Sequence, residues 1–186
     1  YYVSMGYLFQ EGFFRSRDLN YSKYNLRSNI NAEITDGLNM TFSVSALADD
    51  RRTPDSDAVT LIRNLWKQGV LFPAYVDEEQ TMLNYDGLDL EQNTVAMMTS
   101  DISGYKKYRQ KQFQTSASLE YDFGTLTDIL QGLTVKGLAS YDYRFDDNEM
   151  FRKSYSLYAK NSLTGEYVSK EFADHSDRLT REHYAK

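Results

Sequence analysis

Tyr24 to Ile34 reads Y-N-L-R-S-N-I-N-A-E-I. Tyr24, Leu26, Ser28, Ile30, Ala32 and Ile34 take every second position, and Asn25, Arg27, Asn29, Asn31 and Glu33 fill the places between. Successive side chains of a strand point to opposite faces, so the stretch describes a strand with one apolar and one strongly polar surface. Wound as a helix, the same residues would scatter charge around the whole circumference. The polar side holds only amides and charges, where an ordinary surface strand mixes in Ser or Thr, and it looks built to line water. What the apolar side faces decides the fold.

The design recurs on both sides of this stretch. Tyr1, Val3, Met5, Tyr7 and Phe9 alternate with Ser4, Gly6 and Gln10, which predicts a strand over 1–10. A connection of about ten residues containing Gly12 and Asp18-Leu19-Asn20 leads to the central strand, predicted over 22–35. Asp36-Gly37 supplies a tight hairpin turn. The next strand, 38–50, sets Leu38, Met40, Phe42, Val44, Ala46 and Ala48 against Asn39, Thr41, Ser43, Ser45 and Asp49, with Leu47 breaking the polar row. Alternation returns over 109–123, where Phe113, Thr115, Ala117, Leu119 and Tyr121 oppose Gln112, Gln114, Ser116, Ser118, Glu120 and Asp122. A connection from Gly124 to Gly132 precedes the strand 132–146, with Val135, Gly137, Ala139, Tyr141, Tyr143 and Phe145 on one side and Leu138 intruding on the other. Arg178 to Lys186 begins a sixth strand.

Between residues 50 and 108 the period of two stops. Thr53 is placed to cap a helix with Pro54 at its first position, and Ala58, Leu61, Ile62, Leu65 and Trp66 recur at helical spacing up to Gly69. After Pro73 the chain reads as an acidic loop, and a loop of this length inside one domain is usually functional. The stretch 147–177 reads as a second polar loop, with Thr164-Gly165 as a turn.

Composition narrows the classes. Of 186 residues, 16 are Tyr and 10 Phe, which suits strands and wet interfaces. Mean hydropathy is −0.63 and no apolar run approaches the 18 or so residues of a membrane helix, yet barrel strands hide their apolar residues at every second position. A net charge of −6 argues against nucleic acid, whose phosphates need Lys and Arg. The absence of Cys removes disulfide scaffolds and thiol chemistry. With no signal peptide and an alternating pattern already running at Tyr1, the chain is expected to be an internal segment of a longer protein.

The connections alternate in length. Those at 35–37 and 124–132 are short, and those at 50–108 and 147–177 are long, so an up-and-down order gathers all long loops at one end. Outer-membrane barrels have this asymmetry and carry aromatic girdles, here suggested by Tyr7, Phe9, Tyr21, Tyr24, Tyr121, Phe123, Tyr143 and Phe145 near strand ends. A soluble β-sandwich binding module with sugar-stacking tyrosines would alternate too. The small residues Ala46, Ala48, Gly137 and Ala139 would underfill a sandwich core, whereas lipid tails tolerate them.

Tyr2-x-Ser4-x-Gly6-Tyr7-x-x-Gln10-Glu11-Gly12, followed by Tyr24-Asn25-x-Arg27-Ser28-Asn29, resembles the early barrel of SusC/RagA-type TonB-dependent transporters. Leu119-Glu120-Tyr121-Asp122 and Gly132-Leu133-x-x-Lys136-Gly137-x-x-Ser140-Tyr141-Asp142 resemble the next hairpin of that family, and the order and spacing match across roughly the whole chain. Leu71-Phe72-Pro73-Ala74-Tyr75 only approximates the family's Pro-x-x-Pro-Val-Tyr, and Asn93-Thr94 stands where the family has Asn-Pro. The resemblance implies an all-β antiparallel sheet forming a sector of a 22-stranded outer-membrane barrel. It also implies one short helix in a long extracellular loop and a second extracellular loop at 147–177. The activity it implies is TonB-dependent import of oligosaccharides or peptides. The partners would be a SusD-like surface lipoprotein, outer-membrane lipid, and the TonB–ExbB–ExbD complex engaged through a part N-terminal to this chain.

On that reading Lys23, Asn25, Arg27, Asn29, Asn31, Glu33, Gln114, Glu120, Asp142 and Arg144 line the lumen, touching plug, water or ligand. Trp66, Tyr75 and Tyr85 are the loop's candidates for ligand or partner contact, although Trp66 shares a stripe with Ile62 and Leu65 and is expected to pack inward. Asp86, Asp89 and Glu91 could hold Ca²⁺ but match no EF-hand spacing, and a solvated loop is favoured. His175 and His183 lack the companions of a zinc site. Carboxylate pairs such as Asp146-Asp147 are not isolated in an apolar setting, and Ser and His occur without a nucleophile elbow, so neither an enzyme nor a cofactor is expected.

Overall fold

Alternating side chains need a ladder to hold their register, and six strands provide it. They are β1 (Tyr2–Glu11), β2 (Asn20–Thr35), β3 (Leu38–Pro54), β4 (Gly104–Asp122), β5 (Thr134–Arg152) and, after a separate hairpin, β8 (Arg178–Ala185). The structure, a computed structural model, describes residues 1–14, 16–68, 72–85, 93–171 and 177–186, with only the backbone of Lys170 and Glu171. The six strands form one sheet in the order β1-β2-β3-β4-β5-β8, every neighbouring pair antiparallel. The fold is therefore all-β, a meander whose neighbours in sequence are neighbours in space.

The strands are longer than the alternation suggested. β4 begins at Gly104 rather than 109, β3 runs to Pro54 rather than 50, and β5 to Arg152 rather than 146. Polar residues at both faces mask the period in these upper segments, but the ladder continues to Pro54↔Tyr105 and Gly104↔Arg152. Asp36-Gly37 closes the β2–β3 hairpin as expected, with Gly37 at φ 79°. A side chain there would face the left-handed penalty and would also run into Asp122 O and Thr125. Glu33 pairs with Asn39 and Thr35 with Leu38, so Ile34 sits in a bulge.

The loops hold more structure than their polar sequences announced. Thr53 and Pro54 do not start the helix, because they are still paired to β4. Asp57 is the cap of α1 (Ala58–Lys67), its carboxylate accepting from the Thr60 amide at 2.8 Å. Gly69 and Leu71 lie outside the described residues. The long loop holds two further helical pieces, α2 (Thr94–Met98) and α3 (Ser100–Ser103), so the expectation of a single short helix is corrected. Asn93 caps α2 by accepting from the Val95 amide, which needs no Pro after it. The stretch 147–177, expected to be all loop, contains the hairpin β6 (Ser156–Lys160) and β7 (Tyr167–Glu171), turned at Gly165. Two 3-10 turns, Phe123–Thr125 and Asp128–Leu130, fill the β4–β5 connection.

The connections after β1, β3 and β5 leave the same end of the sheet, and they are knitted together. Ser16 Oγ donates to Met98 O at 2.6 Å, and the Ser100 amide donates to Asp18 at 2.8 Å. Asp55 holds Arg152 at 3.0 Å while its amide bonds Gly104 O, closing the base of the long loop. Lys153 Nζ donates to Asp101 O at 2.9 Å. The buried apolar side chains lie in this cap rather than on the sheet. Phe14, Leu61 and Met97 make one cluster; Leu83, Ala96 and Leu157 make the other, flanked by Tyr75, Tyr85 and Tyr155. Burial there pushes the Tyr155 hydroxyl up to about 12, so it stays neutral.

Candidate functional site

The register turns single-strand patterns into rows across the sheet. On one face the rows are Tyr7–Tyr24–Ala48–Lys111–Phe145, Met5–Leu26–Ala46–Phe113–Tyr143, Val3–Ser28–Val44–Thr115–Tyr141, Ile30–Phe42–Ala117–Ala139, Ala32–Met40–Leu119–Gly137 and Leu38–Tyr121–Val135. Nothing covers this band among the described residues: Met5 is 81% exposed, Tyr7 61% and Tyr141 59%. Its borders are aromatic, with Tyr7 and Tyr24 4.8 Å apart at one end and Tyr121 and Phe123 4.9 Å apart at the other.

Above the band the same face becomes charged. Glu149, buried, accepts from the Tyr105 hydroxyl at 2.8 Å, from Arg181 at 2.9 Å, and lies 3.5 Å from Lys107. Asp147 pairs with Arg109 and with His183, each at 3.1 Å, and the His183 ring stacks on Phe145. This network ties β8 to β5 and β4. No motif in the sequence pointed to it, because its members are distant in the chain and meet only through the ladder.

The opposite face carries the ten residues expected to line a lumen, and the structure places all of them there. Lys23, Asn25, Arg27, Asn29, Asn31 and Glu33 stand on β2; Gln114 and Glu120 on β4; Asp142 and Arg144 on β5. Three rows are polar from end to end: Arg27–Ser45–Gln114–Asp142, Asn29–Ser43–Ser116–Ser140 and Glu33–Asn39–Glu120–Lys136. Two of the ten are engaged, Glu120 with Lys136 at 3.1 Å and Arg144 with Asp146 at 2.8 Å. Lys23, Arg27, Glu33 and Asp142 have no ion partner among the described residues. Arg27, Asn29, Ser43, Gln114, Ser140 and Asp142 line a shallow groove of about 360 Å³. Such a wall offers donors and acceptors in series and no enclosed acid–base pair.

The loop candidates separate. Trp66 does not pack inward: α1 buries Leu61 and Asn64, and the Trp66 ring is 86% exposed on the other side. The expected stripe of Ile62, Leu65 and Trp66 faces outward because the α1 contact is made by the single turn Leu61–Asn64 against Met97. Tyr75 is half-buried and pairs in a bridge with Leu83, while Tyr85 packs on the second cluster and its amide bonds Tyr158 O. Tyr75 lines a cleft of about 910 Å³, together with Phe13, Phe14, Leu61, Leu65 and Met98. Phe13 and Phe14 were not singled out; adjacent aromatics in a turn-rich connection were the available signal. Asp86, Asp89 and Glu91, read as a solvated acidic loop rather than a Ca²⁺ site, and His175 lie outside the described residues.

Near the cleft, Asp77 accepts from the Thr81 hydroxyl at 2.6 Å and from the Thr81 and Met82 amides at 2.8 Å. Desolvation pulls its carboxyl upward, but these bonds outweigh it and hold the group below the ordinary aspartate range. No helix among the described residues is long and apolar enough to cross a membrane, which leaves a strand-built crossing open. No family model matches the chain, and no curated protein or solved structure does either.

Proposed function

We propose that this chain is a sector of the wall of a 22-stranded outer-membrane importer of the SusC/RagA type. Its task would be to contribute lumen wall and extracellular loops to TonB-dependent uptake of oligosaccharides or peptides. One observation carries the reading: a six-row apolar band, uncovered and bordered by aromatics, backs onto a mostly polar face, with three rows polar throughout and Leu8, Leu47 and Leu138 interrupting others. From Leu38 to Ala48 the band runs roughly 33 Å along the strand, at about 3.3 Å per residue. Barrel strands tilt by about 35–45°, which reduces this to a height of roughly 25 Å, the apolar thickness of an outer-membrane barrel. The polar groups above and below the band fall where headgroups and water would be.

The remaining features fit the same geometry. The connections after β1, β3 and β5 form a packed cap at one end, as extracellular loops do, and the Asp36-Gly37 turn and the 123–133 connection close the other end. The exposed apolar cleft and Trp66 give the cap a surface for the incoming ligand or for a SusD-like lipoprotein. TonB–ExbB–ExbD would act through a plug and TonB-binding segment outside the 186 residues. A soluble sandwich needs a second sheet over the apolar face; the two-stranded β6–β7 sheet instead packs Leu157 into the cap.

Growth on candidate glycans and peptides by a strain deleted for the full-length gene, with and without complementation, tests the function. Uptake is expected to depend on both the gene and the energising complex. Uptake that persists undiminished without that complex would contradict the proposal.

A further inference from the structure

The cleft in the cap has an apolar floor and an acidic lip. Phe14 and Leu61, both buried, lie at its base, and Phe13, Ile62 and Leu65, all exposed, stand around it. Ala58, Leu61, Ile62 and Leu65 recur at i, i+3, i+4 and i+7, so α1 turns one continuous apolar stripe toward the cleft. The basic residues of α1, Arg63 and Lys67, fall outside that stripe. At about 910 Å³ the space is of the size that holds small organic ligands.

The polar groups around the cleft are mostly engaged already. The Ser16 hydroxyl donates to Met98 O and the Thr99 hydroxyl to Val95 O. Asp77 accepts from the Thr81 hydroxyl and from the Thr81 and Met82 amides, which fixes its carboxylate in place at the lip. Glu78, exposed beside it, has no ion pair or side-chain hydrogen bond among the described residues, and no Lys, Arg or His among them lines the cleft. The lining therefore offers an apolar surface and two carboxylates, but few groups to pair with a ligand rich in hydroxyls. A neutral oligosaccharide seated here would bury hydroxyls without partners, which is costly. A large apolar side chain gains by leaving water, and a cation carried next to it meets the charges at the lip.

We propose that this cleft is a receptor site for short peptides in which a large apolar residue adjoins Lys or Arg. The apolar side chain rests on Phe14 and Leu61, and the cationic one lies against Glu78 and Asp77. The inference rests on the importer reading above and names, within it, the class of cargo that the extracellular loops meet.

The test is isothermal titration calorimetry on the intact outer-membrane protein, purified in detergent with any subunit that accompanies it. The probes are two N-acetylated, C-amidated tripeptides, Phe-Leu-Lys and Phe-Leu-Glu, and maltotetraose. Heat-modifiable gel mobility confirms that each variant is folded. The wild type is expected to bind the Lys peptide about tenfold more tightly than the Glu peptide, since attraction at the lip gives way to repulsion. Glu78→Gln lowers affinity for the Lys peptide about two- to fivefold, the range of one exposed ion pair, and narrows the gap between the two peptides. Leu65→Ser weakens both peptides about tenfold, the effect of one lost leucine contact, and keeps the gap. No binding of the Lys peptide, equal affinity for the two peptides, or an affinity that either variant leaves unmoved overturns the inference and leaves the importer reading standing. Maltotetraose binding that Leu65→Ser abolishes overturns it too, as does a protein subunit held by the wild type and lost from that variant. Recovery of the intact protein outside the outer-membrane fraction overturns both.

Discussion

At the scale of single residues, position on the pleat decides what a substitution costs. Ala139 and Ser140 are adjacent on β5, one in the middle of the apolar band and the other in the polar row Asn29–Ser43–Ser116–Ser140. Arginine at a lipid-facing midplane position costs about 2–4 kcal/mol, while a lumen-facing one is solvated. Ala139→Arg is therefore expected to lower the folding free energy of the intact barrel by that amount in a urea titration, and Ser140→Arg to leave it nearly unchanged. Equal effects would mean that both faces meet water. Asp77 makes a different prediction. Its carboxyl is held below the ordinary aspartate range, so the order it lends the turn to Met82 is full above that range and fades as pH falls through the lower folded value. Protection of the Thr81 and Met82 amides, relative to their intrinsic exchange rates, should fall below about pH 4 in the wild type, and Asp77→Asn should show that reduced protection at every pH.

At the scale of elements, what was legible in the sequence depended on whether a strand had one dry face. β2, β3 and the lower halves of β4 and β5 alternate apolar with polar, and which residues share a face followed from that pattern alone. The upper halves have polar side chains on both faces, such as Lys106-Lys107 and Asp146-Asp147, so the period disappears although the ladder does not. The cap was illegible for another reason. Its two clusters draw Phe14, Leu61 and Met97, or Leu83, Ala96 and Leu157, from three separate connections, and no local spacing encodes such contacts. Thr53-Pro54 misled because a capping pair and a strand end use the same residues, and tertiary pairing to Lys106 and Tyr105 decided between them. If the cap is a packed unit, Leu157→Ala should cost about 2–5 kcal/mol of its local stability. Hydrogen exchange should then rise across residues 73–85 and 153–160 and stay unchanged in β2 and β3. A rise across the sheet as well would show that cap and sheet unfold together.

At the scale of the whole molecule, the sheet and the cap divide the work of folding. Water-excluded packing sits in the cap, while the sheet leaves its largest apolar surface bare, with Val3, Met5, Phe9, Leu119, Val135 and Tyr141 each about half exposed or more. A soluble monomer rarely carries so large a patch, and the outer edge of β1 and the lower edge of β5 have no partner strand among the described residues. A closed barrel in lipid would resolve both, because lipid covers the face and neighbouring strands satisfy the edges. The proposal of an importer wall thus turns on what touches the band. Since the chain has no Cys, single cysteines can be placed along β3 without background from this segment, one at each position from 39 to 46 in the intact protein. The decisive measurement is spin-label accessibility at these sites to a lipid-soluble and a water-soluble relaxant. The expected result is a period of two, with labels at Met40, Phe42, Val44 and Ala46 relaxed by the lipid-soluble agent and those at Asn39, Thr41, Ser43 and Ser45 shielded from it. Labels on the apolar face that are reached by neither agent, or by the water-soluble one alone, would contradict the barrel and place that face against protein or water instead.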